Sequence, residues 1–167
     1  MQPKINSKQH KRVVTIQDWF SEIGIIVDYR TAERFTDSML ELAKEQEKPT
    51  LFVEEAKVEV TCKTTVPISS YCKHHVLPWF GWVDIIYTPT GLVLGLSKFH
   101  RLIEWASQGL KLQEEVTQTI GQELTEALGP DSNVMVEIRA MHTCAITRGV
   151  KASSDFEYIT GYCNASN

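Results

Sequence analysis

The stretch 57-KVEVTCKTTVPISSYCKHHVLPWFGWVDIIYTP-89 decides the fold class. Over 57–66 it alternates, with Val58, Val60, Cys62, Thr64 and Val66 on one side, the period-2 pattern of a strand with one buried face. A second strand is expected over 81–89, so the chain turns back on itself between them. Cys72, Lys73, His74 and His75 stand consecutively in that return, just ahead of a run of aromatic residues. Downstream, the turn TPTG and the apolar LVLGL lead to a helix over 98–108, with Ser97 placed to cap it. A further helix over 112–128 is stopped by Gly129 and Pro130. NVMVEIRAMH (133–142) reads as a strand and FEYITGY (156–162) as a weaker one. The order strand, strand, helix, helix, strand, strand predicts an α+β layer: a four-stranded antiparallel sheet with a helix pair on one face.

Upstream, 15–25 and 31–48 read as helices, the second with Ala32, Phe35, Met39 and Ala43 at helical spacing before Pro49. The expected organisation is a flexible arm over 1–14, an N-terminal helical section over 15–56 and a single larger domain over 57–167. A chain of 167 residues with 43% hydrophobic content can bury one proper core. The formal charge of -4 leaves no basic footprint for nucleic acid, so an anionic ligand must be held by local cations. No window reaches the roughly 18 apolar residues of a membrane span, and MQPKINSKQHKR lacks a signal peptide's apolar segment. The expectation is a cytoplasmic protein that uses neither membrane nor nucleic acid. Its cysteines, Cys62, Cys72, Cys144 and Cys163, are then reduced thiols available to a metal.

Cys72 and His75 have Cys-x-x-His spacing, with which one tight turn can aim a thiolate and an imidazole at a single ion. His142 and Cys144 in MHTCAITRG form a second pair, two residues apart and therefore on one side of a strand end. One group from each pair, or both, can converge on zinc. Four protein ligands would make a closed structural site, whereas three with water in the fourth position would make a catalytic one. Cys62 and Cys163 read as small core residues, and His10 and His100 as solvent or helix-face residues. Lys98 and Arg101 are three apart in the first turns of a helix, whose N-terminus favours anions; a phosphate fits there. Glu114 and Glu115, in the first turn of the next helix, complement its dipole.

The run from YCKHHVLPWFGWV through GLSKFHR and LQEEV, followed by HTCAITRGV, resembles GTP cyclohydrolase I. That family's pattern is roughly CEHH, then GLSK with an arginine three residues on, then VQER, HxC and RGV; the match holds over 68–151. RTAERFTDSMLEL is similar to the family's TPxR helix. The resemblance implies the tunnelling fold, in which sheets of neighbouring subunits join into a barrel, commonly a decamer of two stacked pentamers with active sites at subunit interfaces. It implies zinc (Zn2+) ligands at Cys72, His75 and Cys144, with water in the fourth position. His74 matches the catalytic histidine beside the ligands, and His142 a second histidine that assists proton transfers. Glu114, with Gln113 before it, matches the glutamate that holds the guanine edge. Lys98, Arg101 and Arg148 match residues that grip the triphosphate; Ser97 belongs to the same GLSK motif, and Arg34 falls on the arginine of TPxR.

The activity so implied is zinc-dependent hydrolytic opening of the guanine imidazole ring of GTP, or of a closely related guanine nucleotide. It releases formate and forms 7,8-dihydroneopterin triphosphate. The alternatives are a related tunnelling-fold enzyme acting on another purine or pterin, and a non-catalytic zinc-stabilised binding module. The chain departs from the pattern in two charged positions: Lys73 stands where the family has the glutamate of CEHH, and Asp37 where a phosphate-linked lysine can occur.

Overall fold

The computed structural model of the chain describes residues 7–44, 46–57, 60–153 and 157–164. They form two compact units, Met1–Lys44 and Glu45–Asn167, so the division falls earlier than residue 57. The first unit is a helix pair, α1 (Ser7–Glu22) and α2 (Tyr29–Leu42). Residues 7–14, expected as an arm, are the opening turns of α1. The polar run hides one core position there, since Val13 is fully buried. Asp28 caps α2, accepting from the Thr31 backbone N–H at 2.7 Å, and that bond holds its carboxyl below the usual range. α2 ends at Leu42 instead of running to 48, because the polar residues after Ala43 offer no further apolar face.

The second unit is built on a sheet. Strands β2 (Cys62–Cys72), β3 (Pro78–Thr88), β6 (Asn133–His142) and β7 (Tyr158–Asn164) pair antiparallel in that spatial order, the four-stranded body that the alternation predicts. A two-residue strand β5 (Leu110–Lys111) lies parallel to the end of β2 and makes a fifth member. A separate short pair joins β1 (Val53–Glu55) to β4 (Leu92–Leu94). Three helices complete the unit: α3 (Leu96–Ala106), α4 (Gln113–Leu128) and the single turn α5 (Thr143–Ile146).

β2 starts later than residue 57 but carries the expected alternation farther, burying Val66, Ile68, Ser70 and Cys72 in turn. Cys72 therefore ends the strand on the core side. Val58 and Phe156, expected in strands, lie outside the described residues. Phe99, Leu102 and Ile103 of α3 and Val116, Ile120, Leu124 and Leu128 of α4 pack with Val83, Ile85, Val136 and Ile138 of the sheet. Each such side chain stabilises the fold by about 1.5–3 kcal/mol before entropy is charged against it. α4 approaches β7 so closely that a Cβ on Gly121 would stand 2.1 Å from the Tyr162 ring. The sheet's other face exposes Phe80, Trp82, Met135 and Ile159. Cys163 is exposed there, against the expectation of a core residue, because its neighbours Tyr162 and Asn164 take the inward positions. No described helix is long and apolar enough to cross a membrane.

Candidate metal and active site

The strand ends assemble the chemistry. After Cys72 the chain makes a tight turn in which the Cys72 carbonyl accepts from the backbone N–H of both His75 and Val76, at 3.3 and 2.8 Å. Val76 is held there at φ 54, a left-handed conformation that a β-branched residue adopts only under constraint. Across the sheet, β6 ends at His142 and α5 begins, with Thr143 donating to the Pro78 carbonyl at 2.6 Å. That bond ties the turn carrying Cys144 to the start of β3. The ligand atoms of Cys72, His75 and Cys144 come to lie within 4.8 Å of one another, and Cys72 Sγ is 3.7 Å from His75 Nδ1. Donors around a tetrahedral zinc are about 3.5–3.8 Å apart, so the donor set needs little closing to fit one. Burial first, then the adjacent Cys72 thiol, pushes the Cys144 thiol up. Two crowded thiols beside an imidazole are the arrangement that a divalent cation converts to thiolates. His142 is not among the three converging groups, which leaves the donor set open on one side.

A cavity of about 300 Å³ adjoins this cluster, lined among others by His74, Glu114, His142 and Tyr158. His74 is exposed and its ring meets that of His75 edge-on at 6.0 Å. His142 lies opposite Trp79 across the sheet, stacked on its indole at 5.4 Å and 15°. Burial pushes the His142 ring down, and the nearby Glu114 carboxylate partly offsets this. Glu114 sits in the first turn of α4 and accepts from the Tyr158 hydroxyl at 2.8 Å. Gln113, expected at the substrate, is among the residues that line the cavity, although it is 1% exposed and its side-chain amide is bonded to protein groups.

Of the residues expected at the phosphates, Arg148 stands near enough to the Cys144 thiol for its charge to favour the thiolate. α3 is capped by Gly95, so Ser97 is an exposed residue inside its first turn and not the cap. Lys98 lays its ammonium over the Phe52 ring at 4.1 Å, and Arg101 is exposed one turn on. Arg148 is exposed in the loop after α5, and Arg34 belongs to α2 in the first unit. Ser97, Lys98, Arg101 and Arg148 are not among the residues that line the cavity adjoining the thiols.

A profile described as GTP cyclohydrolase I matches residues 25–164. The chain belongs to the GTP cyclohydrolase I family. It is 41% identical over 98 residues to GTP cyclohydrolase 1 of Latilactobacillus sakei, covering 58% of this chain and 51% of that protein. The Geobacillus kaustophilus protein of the same name is 43% identical over 103 residues, 61% of this chain and 54% of that one. That of Hyperthermus butylicus is 38% identical over 123 residues, 73% of this chain and 61% of that one. The chain thus spans about half the length of these curated relatives. Its α+β architecture is the tunnelling fold of the GTP cyclohydrolase I family.

Against the family pattern the anomaly at Lys73 gains a partner. Its ammonium lies 3.2 Å from Glu115 Oε1, while Glu115 Oε2 accepts from the Leu112 backbone N–H at 3.3 Å and closes the start of α4. Glu115 stands where VQER has arginine, so relative to the GTP cyclohydrolase I pattern both charges are reversed together. Tyr158, Thr160 and Trp79 escaped the sequence reading. Tyr158 and Thr160 sit in a short strand with weak alternation, and Trp79 in an aromatic run where nothing distinguishes one ring from the next. Their signal was register: in β7, Tyr158 and Thr160 face the same side as Ala140 and Ile138 of β6.

Proposed function

We propose that the chain is a GTP cyclohydrolase I that opens the guanine imidazole ring of GTP by hydrolysis, releases its C8 as formate and forms 7,8-dihydroneopterin triphosphate. The observation that carries this is the convergence of Cys72, His75 and Cys144 beside a cavity that also holds Glu114, His74 and His142. The cysteines and His75 would hold zinc, which supplies Lewis acidity that brings the ionisation of water towards neutral pH. Glu114 would accept from the N–H donors of the guanine edge, with Tyr158 holding its carboxylate in place. His142, kept largely neutral by burial, can take up and return a proton at the ring nitrogen next to C8. His74, exposed at the cavity, would exchange protons with solvent.

Lys98, Arg101 and Arg148, with Ser97 and Arg34, would bind the triphosphate. Lys98 and Arg101 lie outside the lining of the cavity, which supports a homo-oligomer with active sites at subunit interfaces, a decamer on the family resemblance. The exposed Trp82 and Ile159 on the outer sheet face support the same reading, since joined sheets cover such surface. Reduced Cys72 and Cys144 as ligands suit the cytoplasm. The test is to incubate zinc-loaded protein with GTP and to measure formate and, after oxidation, neopterin fluorescence. Cys144→Ala is expected to lose zinc and about 10³-fold or more in rate. Equal rates for variant and wild type, or neither product from wild type, would overturn the assignment.

A further inference from the structure

Gln113 occupies an unusual place for a polar side chain, 1% exposed at the first position of α4 and wedged against β6 and β7. Its Nε2 lies 3.0 Å from the Ile138 carbonyl, 2.9 Å from the Tyr158 carbonyl and 3.0 Å from Thr160 Oγ1. Backbone carbonyls only accept, so the amide nitrogen must face them; the flipped amide would press its oxygen against two others. The hydroxyls agree with this polarity. Thr117 spends its hydrogen on the Gln113 carbonyl at 2.8 Å, so Thr160 donates to Thr117 and its lone pair can share one of the two amide hydrogens with a carbonyl. The amide oxygen of Gln113 is thereby turned to His142 Nε2, 2.8 Å away.

An oxygen without a proton requires a donor opposite. We infer that Gln113 is a positioning residue that fixes the neutral His142 ring as its Nε2–H tautomer, which leaves Nδ1 as the atom that exchanges protons with the substrate. Among the described residues Nδ1 has no hydrogen-bond partner. The stack on Trp79 and the edge contact with Tyr158, 6.0 Å away at 79°, oppose the ring flip that would interchange the nitrogens. Polarity thus passes from two sheet carbonyls, through one amide, to the ring that faces the cavity. The wrong tautomer would set a lone pair against the amide oxygen, a loss of about 10- to 100-fold in its population.

The tautomer follows from the hydrogen bonds alone, whereas the identity of the proton acceptor rests on the proposed cyclohydrolase reading. The full chain, labelled with ¹⁵N-histidine, is examined by solid-state NMR at mildly alkaline pH, metal-free and zinc-loaded, with His142→Asn assigning the signals. The expected spectrum has a protonated, pyrrole-type Nε2 and a pyridine-type Nδ1 for His142 in both states. In Gln113→Met the two tautomers mix, and kcat on GTP falls about 10- to 100-fold with zinc content and KM held. A wild-type spectrum with Nδ1 protonated overturns the inference whatever the variant does, including failing to fold. An unchanged tautomer in folded Gln113→Met overturns it too. The expected tautomers in a protein that does not open GTP would sink the cyclohydrolase reading and leave the role of Gln113 standing.

Discussion

The thiol end and the proposed phosphate-binding end of the site are built differently. At the thiol end, the ends of β2, β6 and β7 and the first turn of α4 hold the groups by strand register, a strained turn or a side-chain hydrogen bond. At the basic end, Lys98, Arg101 and Arg148 sit on one helix turn and one loop, and none joins an ion pair among the described residues. On the proposed function, the difference follows from what each end would do. Bond breaking needs groups fixed to fractions of an ångström, which only a packed core supplies. Holding a flexible triphosphate needs cations that a carboxylate has not already neutralised, and those can stand on a surface that another subunit completes.

Removing the cations is the largest expected way to sharpen this contrast. Lys98→Ala with Arg101→Ala deletes two charge-assisted contacts of about 1.5–3 kcal/mol each, so kcat/KM for GTP should fall about 10²- to 10⁴-fold. Zinc content should stay at one per chain, and any turnover of guanosine should be unaffected. Loss of zinc in that variant would show that the two ends are not separable. A smaller effect is expected from dissociation. Sedimentation should find multiples of the 19.0 kDa chain, and dilution to the single chain should cost about tenfold or more in rate while the zinc remains bound. A diluted single chain with full activity would mean that one subunit grips the phosphates unaided.

Legibility followed the same division. Alternation as far as Val66 was visible, whereas its continuation to Cys72, which sets that thiol on the core side, was not. The spacing of His142 and Cys144 announced the second arm of the metal cluster. The buried role of Gln113 was not visible, because it depends on two carbonyls in β6 and β7 that local pattern cannot bring to α4. Tyr158 was hidden for the same reason, being defined by a partner 44 residues away. Ser97 looked like a cap because serine suits that place, yet the turn from β4 into α3 begins the helix at Leu96, after Gly95. The start of α1 was lost in a polar run whose one core residue, Val13, gives no periodicity by itself.

The smallest expected effect concerns the link between the metal turn and α4. Lys73 lies beside Cys72 and His74, and Glu115 beside Glu114, so their ion pair ties the thiol end to the proposed guanine-binding turn. Both side chains are about half exposed, so the pair adds little stability and its worth lies in register. Lys73→Glu sets like charges together, and Glu115→Arg places a third cation near Lys73 and Lys111 while breaking the cap at Leu112. Each single change should lower the thermal midpoint by about 1–3 °C, and the double exchange should recover most of it. The Leu112 N–H first, then Lys73, holds the Glu115 carboxyl below its usual range. A depressed carboxylate contributes fully above its unfolded pKa and loses that contribution as pH falls through the folded value. The Lys73→Glu penalty should therefore be full at neutral pH and fade in acid, below the ordinary carboxylate range. Thermal unfolding of the four proteins at both pH values checks this, and additive, pH-independent shifts would show that Lys73 and Glu115 do not act as a pair.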